Sequence, residues 1–153
     1  QTCALPISFI GLHEAENSYF HRAMCAQDYS AVTAACMMTK AEVFRQAGGF
    51  TEELAVAFND IDYCMKVRAL GKLVVYAPYA VMHHYESKSR GLEDTPEKVA
   101  RFNREVAVFA RRWPDILKNG DPYYNPNLTL RKSNFALRDL LKEKIGEPYK
   151  LEG

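Results

Sequence analysis

The sequence predicts an α/β chain in which a few strands are flanked by helices. Three observations carry that reading. Short apolar runs at 29–38, 72–77 and 80–85 have the length and composition of buried strands. Stretches with helical spacing lie between and after them, at 40–47, 60–70 and 95–112, bounded by capping residues or glycine. So few strands make a poor free-standing sheet, so the chain reads as the second half of a larger α/β unit.

Composition is that of an ordinary globular chain: 153 residues, 48% hydrophobic, 25% charged and a net charge of +1. The near-neutral balance argues against nucleic acid or an anionic membrane as the main partner. No apolar run approaches the roughly 18 residues of a spanning helix, and no basic segment leads into an apolar core as in a signal peptide. Cys3, Cys25, Cys36 and Cys64 form no C-x-x-C pair. They read as reduced thiols, mostly in the core, of a cytoplasmic protein.

Residues 1–7, QTCALPI, resemble a translated sequencing-library adapter, with an ordinary extended N-terminus as the alternative. Residues 8–130 form the body of the chain, and 131–153 a polar tail with a helix expected over 134–145. Within the body, 29–38 reads as a buried strand with small residues where another backbone can approach. Thr39 is placed to cap a helix from Lys40 to Ala47, with Val43, Phe44 and Ala47 inward, and Gly48-Gly49 stops it. Phe50, Leu54, Val56 and Phe58 are apolar anchors of the following loop. Asn59 is expected to cap a helix from Asp60 to Leu70, with Asp62 reaching back to the cap and Gly71 ending it. Its apolar face is Ile61, Cys64, Met65 and Leu70, flanked by Tyr63 and Val67, and Lys66 and Arg68 suit its C-terminal dipole. Thr95-Pro96-Glu97 opens the longest helix, striped by Val99, Phe102, Val106 and Phe109 or Ala110 and broken at Trp113-Pro114. Residues 121–127, DPYYNPN, read as a rigid aromatic loop.

The segments GGFTEEL, AFNDIDYCMKVRALGKLVVYAPYAVMHHYESKSRG, TPEK and DPYYNPNLTL, in that order, resemble bacterial family 2 glycosyltransferases of the GT-A fold. The group they resemble most builds O-antigen and other surface polysaccharides. The resemblance covers roughly Tyr19 to Leu130 and rests on several separated motifs in sequence. It implies that the chain is the acceptor-side, C-terminal half of a GT-A (Rossmann-like) domain. The half that binds the nucleotide sugar and carries a D-x-D metal motif has no counterpart upstream of Tyr29, so the resemblance implies a chain inactive by itself.

The resemblance also implies site residues. Glycosyl transfer with inversion needs a base that takes the proton of the acceptor hydroxyl. The family places it second in an E-D or N-D pair at a helix start, which here is Asn59-Asp60, making Asp60 the candidate base. Asn59 stands where the family usually has Glu, leaving Asp60 the only acid of the pair. The alternative is that Asn59, Asp60 and Asp62 simply cap a helix. Asp62 is given an indirect acceptor contact or a structural role. His84 matches the family's H-x-E-S pattern as a ligand of metal or pyrophosphate, while His83 points the opposite way in a strand. Glu86, Ser87, Ser89 and Arg90 match E-S-x-S-R-G and are implied to contact the sugar diphosphate or the closing loop, Arg90 being suited to bidentate phosphate contact. A solvated polar loop is the alternative.

Residues 30–35 are expected on the floor of the acceptor cleft, with Thr33 its one notable polar group. Trp113, Tyr123 and Tyr124 have the shape to stack on sugars or simply to pack. The implied cofactor is a divalent metal, Mn or Mg, held mainly by the other half. The implied partners are a nucleotide-sugar donor and a glycan or lipid-linked acceptor, with no nucleic acid and with peripheral membrane association of the full-length protein. Two other readings stay open: a non-catalytic module that binds a glycan or a protein, and a metal-binding or hydrolytic domain built on Asp60, Asp62, His83 and His84. A glycoside hydrolase would need a second placed carboxylate, and the sequence offers no convincing one.

Overall fold

A computed structural model describes residues 18–82, 95–132 and 135–143. The segment 1–7, the second half of the expected strand at 80–85, and His83, His84, Glu86, Ser87, Ser89 and Arg90 lie outside the described residues.

The described elements are β1 (Gln27–Asp28), α1 (Ala41–Gln46), α2 (Asn59–Ala69), β2 (Val75–Tyr76), α3 (Pro96–Arg112) and α4 (Pro114–Asn119), with a kinked 3-10 segment at Tyr19–Met24 and a single 3-10 turn at Ala34–Cys36. Strands β1 and β2 pair antiparallel, Gln27 opposite Tyr76 and Asp28 opposite Val75. The Tyr29 amide extends the ladder by donating to the Val74 carbonyl at 2.9 Å.

Helix α2 is the hub. Tyr63, Cys64 and Val67 are buried together with Val74, which precedes β2. Ala31, Val32, Met37, Val43, Phe44 and Ala47 pack around them, so α1 and the 31–37 segment close over one side of α2. Each large apolar side chain taken fully from water here contributes about 1.5–3 kcal/mol. The rings of Phe44, Phe50 and Tyr63 meet pairwise, with centroids 5.3–5.6 Å apart. The Tyr63 hydroxyl, which an apolar core could not satisfy, shares a 2.8 Å hydrogen bond with Thr39.

The turn after α1 shows why its glycines are there. Gly48 and Gly49 have φ of 75° and 65°, and a Cβ on Gly49 would lie 3.2 Å from the Phe44 ring. The Gly49 carbonyl, turned back toward α2, accepts from Lys66 Nζ at 2.9 Å.

Several elements differ from expectation. No strand runs over 29–38; that stretch is irregular apart from the turn at Ala34–Cys36. The reason lies in where its amides go: Ala34 N–H donates to the Asp60 carboxylate and Ala35 N–H to the Thr33 hydroxyl, so side chains replace a neighbouring strand. Thr39 does not cap α1, because its hydroxyl is engaged by Tyr63. The strand at 72–77 shrinks to Val75–Tyr76. Residues 80–82 are not strand, the Ala80 amide turning back to the Ala77 carbonyl just after Pro78.

The expected helix over 134–145 is not formed in residues 135–143. Phe135 sits at a φ of 56°, and the segment pairs instead with 127–129: Leu137 bridges Leu128, Thr129 N–H donates to Ala136 O, and Arg138 N–H to Asn127 O. The short α4, absent from the sequence reading, starts at Pro114, a residue suited to a first helical position, so the break at Trp113-Pro114 is also a helix start. The thiols differ too: Cys64 is buried but Cys25 and Cys36 are exposed. Among the described residues no helix is long and apolar enough to cross a membrane.

Candidate functional site

The site is built at the entry to α2. The chain arrives through residues 51–58, where Leu54 is buried and Val56, Ala57 and Phe58 are half-buried. The helix begins one residue earlier than expected. Its cap position is Phe58, at φ 64° and ψ 2°, and Asn59 is already inside the first turn. A phenylalanine in the left-handed region is uncommon and costs on the order of 1 kcal/mol, so its surroundings must hold it there. They do so with rings: Phe58 packs against Phe102 at 5.7 Å and Phe109 at 5.2 Å between centroids, both on α3.

Asp60, half-buried in the first turn of α2, is held at both oxygens. Oδ1 accepts from the Ile61 amide at 2.9 Å and Oδ2 from the Ala34 amide at 3.1 Å. Asn59 Oδ1 in turn accepts from the Asp60 amide at 2.7 Å. Each of these oxygens retains acceptor capacity for an incoming hydroxyl. The 30–35 segment is therefore brought against Asp60 through the Ala34 amide, and Thr33 contributes by capping the turn that presents it.

Asp62 lies two residues on and is completely buried. Its carboxylate does not reach back to the helix cap as expected. Oδ1 accepts from Arg112 Nε at 2.7 Å and Trp113 Nε1 at 2.9 Å, and Oδ2 from Thr51 Oγ1 at 2.6 Å and Lys66 Nζ at 3.2 Å. Burial alone would raise its pKa, but the bonds from Thr51, Trp113, Arg112 and Lys66 outweigh that and hold it below the usual aspartate value. Asp60 and Asp62 thus have different jobs by position: Asp60 faces the Ala34 turn, and Asp62 ties α2 to the end of α3.

The second buried acid was missed by sequence reasoning. Glu105, 2% exposed, lies in the stripe of α3 expected to be apolar. Its oxygens accept from the Val56 amide at 3.2 Å and the Ala57 amide at 2.8 Å, with Arg101 Nε at 3.9 Å. Val99, expected on that stripe, is 46% exposed. The observed stripe is Phe102, Glu105, Phe109 and Arg112, spaced three, four and three residues apart on one helix face. The available signal was that spacing, in which a buried glutamate and an exposed arginine that reaches the buried Asp62 share the face of the two phenylalanines.

The aromatic residues considered for sugar stacking are engaged elsewhere. Trp113 donates its indole N–H to Asp62. Tyr123 lies under the Arg68 guanidinium, 4.8 Å from ring centroid to charge centre. Tyr124 donates its hydroxyl to Thr129 O at 2.9 Å and stacks on Phe135. Arg68 also donates to Ser30 Oγ at 3.2 Å, and Ser30, buried, donates to Asp121. Burial pushes the Cys64 thiol up to about 11, and its S–H donates to the Val32 carbonyl, so it remains a neutral packing group. Among the described residues no three His, Cys, Asp or Glu side chains gather into a set that could hold a metal ion.

Comparison with known proteins gives two relatives. Over 120 residues, 78% of the chain, it is 55% identical to a Sinorhizobium fredii protein described as "Uncharacterized protein y4gI", of which the match spans 13%. Over 112 residues, 73% of the chain, it is 36% identical to O-antigen biosynthesis protein RfbC of Myxococcus xanthus, of which the match spans 8%. The chain therefore spans only a small part of the length of the curated relatives it matches. No protein-family model matches the chain, and no solved structure matches it.

Proposed function

We propose that this chain is the acceptor-side part of a glycosyltransferase of surface-polysaccharide synthesis, with Asp60 as general base. The observation that carries the reading is the setting of Asp60: a carboxyl group in the first turn of a helix, half-buried, anchored by two amides and still with room to accept a hydrogen bond from a hydroxyl. The 36% identity to a protein named for O-antigen biosynthesis supports the polysaccharide context.

In the proposed reaction an acceptor hydroxyl hydrogen-bonds to Asp60. As its oxygen attacks the anomeric carbon of a nucleotide sugar, the proton passes to the carboxylate and the nucleoside diphosphate leaves with the bond electrons, inverting the centre. The Ala34 and Ile61 amides hold the carboxylate in place, so little reorganisation is needed when the proton moves. Asn59 stays neutral and fixes the Asp60 amide. His84, as a ligand of metal or pyrophosphate, and Glu86, Ser87, Ser89 and Arg90, as contacts to the sugar diphosphate, are assigned by the sequence pattern alone. A divalent Mn or Mg ion would stabilise the leaving diphosphate; the described residues supply no ligand set for it.

The test is release of nucleoside diphosphate from a panel of UDP-glucose, UDP-galactose, dTDP-rhamnose and GDP-mannose by the full-length protein. Asp60→Asn, nearly isosteric, is expected to slow turnover by on the order of a hundredfold or more. Release at the unaltered rate by a folded Asp60→Asn protein would overturn the base assignment. The reading of a non-catalytic glycan-binding module predicts instead that neither form turns over any donor.

A further inference from the structure

We propose that Glu105 is a positioning residue for Asp60, acting through the backbone of residues 56–58; the inference rests on the reading of Asp60 as base. A carboxylate this deeply buried is costly unless it is fully used. Glu105 is used on two consecutive amides, Val56 and Ala57, of a stretch with no regular structure of its own. Ala57 lies three residues before Asp60, and the only joint between them is Phe58-Asn59.

That joint is the part least able to hold itself. Phe58 adopts a left-handed conformation that its side chain disfavours, and such a residue persists only when its neighbours over-determine it. The neighbours are on α3: Phe102 and Phe109 take the Phe58 ring, and Glu105, between them on the same face, takes the two preceding amides. One turn further, Arg112 and Trp113 take Asp62. The first turn of α2 is thus gripped on both sides of Asp60 by one stripe of a helix and its end, about fifty residues away in sequence, while the carboxylate of Asp60 accepts from Ala34 and Ile61.

A grip of this kind sets the direction of the Asp60 carboxylate rather than its chemistry. Shifts of about 1 Å in a reacting group cost up to a hundredfold in rate. Glu105→Gln keeps the volume but turns an acceptor into an NH₂ group facing a backbone N–H, so one of the two bonds is replaced by a donor–donor contact. Phe102→Leu loosens the ring contact on Phe58 without adding a polar group.

The experiment measures kcat and KM for nucleoside diphosphate release on the panel above. It also follows deuterium exchange of the amides of residues 56–61, for wild type, Glu105→Gln and Phe102→Leu, with Asp60→Asn as control. Expected for both variants are a kcat lower by about ten- to a hundredfold, a KM within about twofold, and faster exchange confined to 56–61. Wild-type kcat in a folded Glu105→Gln protein would overturn the proposal. So would a loss that appears wholly in KM, or faster exchange spread equally over α2 and β2, which is what a merely structural role gives. If Glu105→Gln does not fold, Phe102→Leu decides by the same criteria. Unaltered turnover in Asp60→Asn sinks the base assignment, whereas loss of turnover there with wild-type kcat in Glu105→Gln sinks only the positioning role.

Discussion

The start of α2 and the edge around β2 are built from similarly apolar sequence, yet they end up differently. At the start of α2, Leu54, Tyr63, Cys64, Met65 and Val67 are buried, and both acids buried among them, Asp62 and Glu105, have their donors in place. Around β2, Leu73, Val75, Tyr79, Val81 and Met82 are all more than half exposed, and only Val74 is buried. The first region is finished because long side chains from α3 reach across to it. The second has a ladder of two residue pairs, and a strand is stabilised by its cross-strand neighbours more than by its own propensity. Hydrophobicity states what a segment can bury; what covers it is settled elsewhere in the chain.

Substitutions at the two regions break this comparison if it is wrong. The largest effect is expected at Asp62. Asp62→Ala leaves Arg112, Lys66, Trp113 and Thr51 without their shared acceptor inside the protein, and should lower unfolding free energy by about 3–5 kcal/mol in a urea titration. A loss below 1 kcal/mol would mean that the buried node is not what joins α2 to α3.

A smaller, graded effect is expected with acid. Asp62 has a folded pKa below its unfolded value, so its contribution is complete above about pH 4. It is lost progressively as pH falls from there through the lowered folded value. Urea midpoints measured between neutral pH and pH 2 should follow that sign, and Asp62→Ala should flatten the curve in this window. An equally steep acid loss in the variant would assign the effect to other carboxylates.

The smallest effect belongs to the β2 edge. Val75→Thr, at a side chain already 53% exposed, should change stability by no more than about 0.5 kcal/mol. A change of 2 kcal/mol by thermal melting would show that this edge is covered in solution and would erase the contrast between the regions.

Much of the local order could be read before any coordinates. The acidic start and glycine end of α2, Thr95-Pro96-Glu97 opening α3, and Gly48-Gly49 closing α1 are short-range signals, since caps and left-handed turns are decided within a few residues. Asp60 was legible as a helix-start acid for the same reason. Its Ala34 partner was not, because 26 residues separate them and the 29–38 run looked like a strand. Glu105, Arg112 and Trp113 were invisible as a group, because a stripe analysis that counts only apolar residues discards the charges that share it.

The sequence by itself determined, to within about one residue, where α1, α2 and α3 begin and end, because those choices rest on backbone φ, amide capping and spacing along a short run of chain. Tertiary structure decided which of two neighbouring aspartates is sealed inside and which stays reachable. Asp60 and Asp62 have the same chemistry and nearly the same local setting. They part company because Arg112 and Trp113 arrive at one of them from fifty residues away, and a buried charge is stable only where such donors meet it.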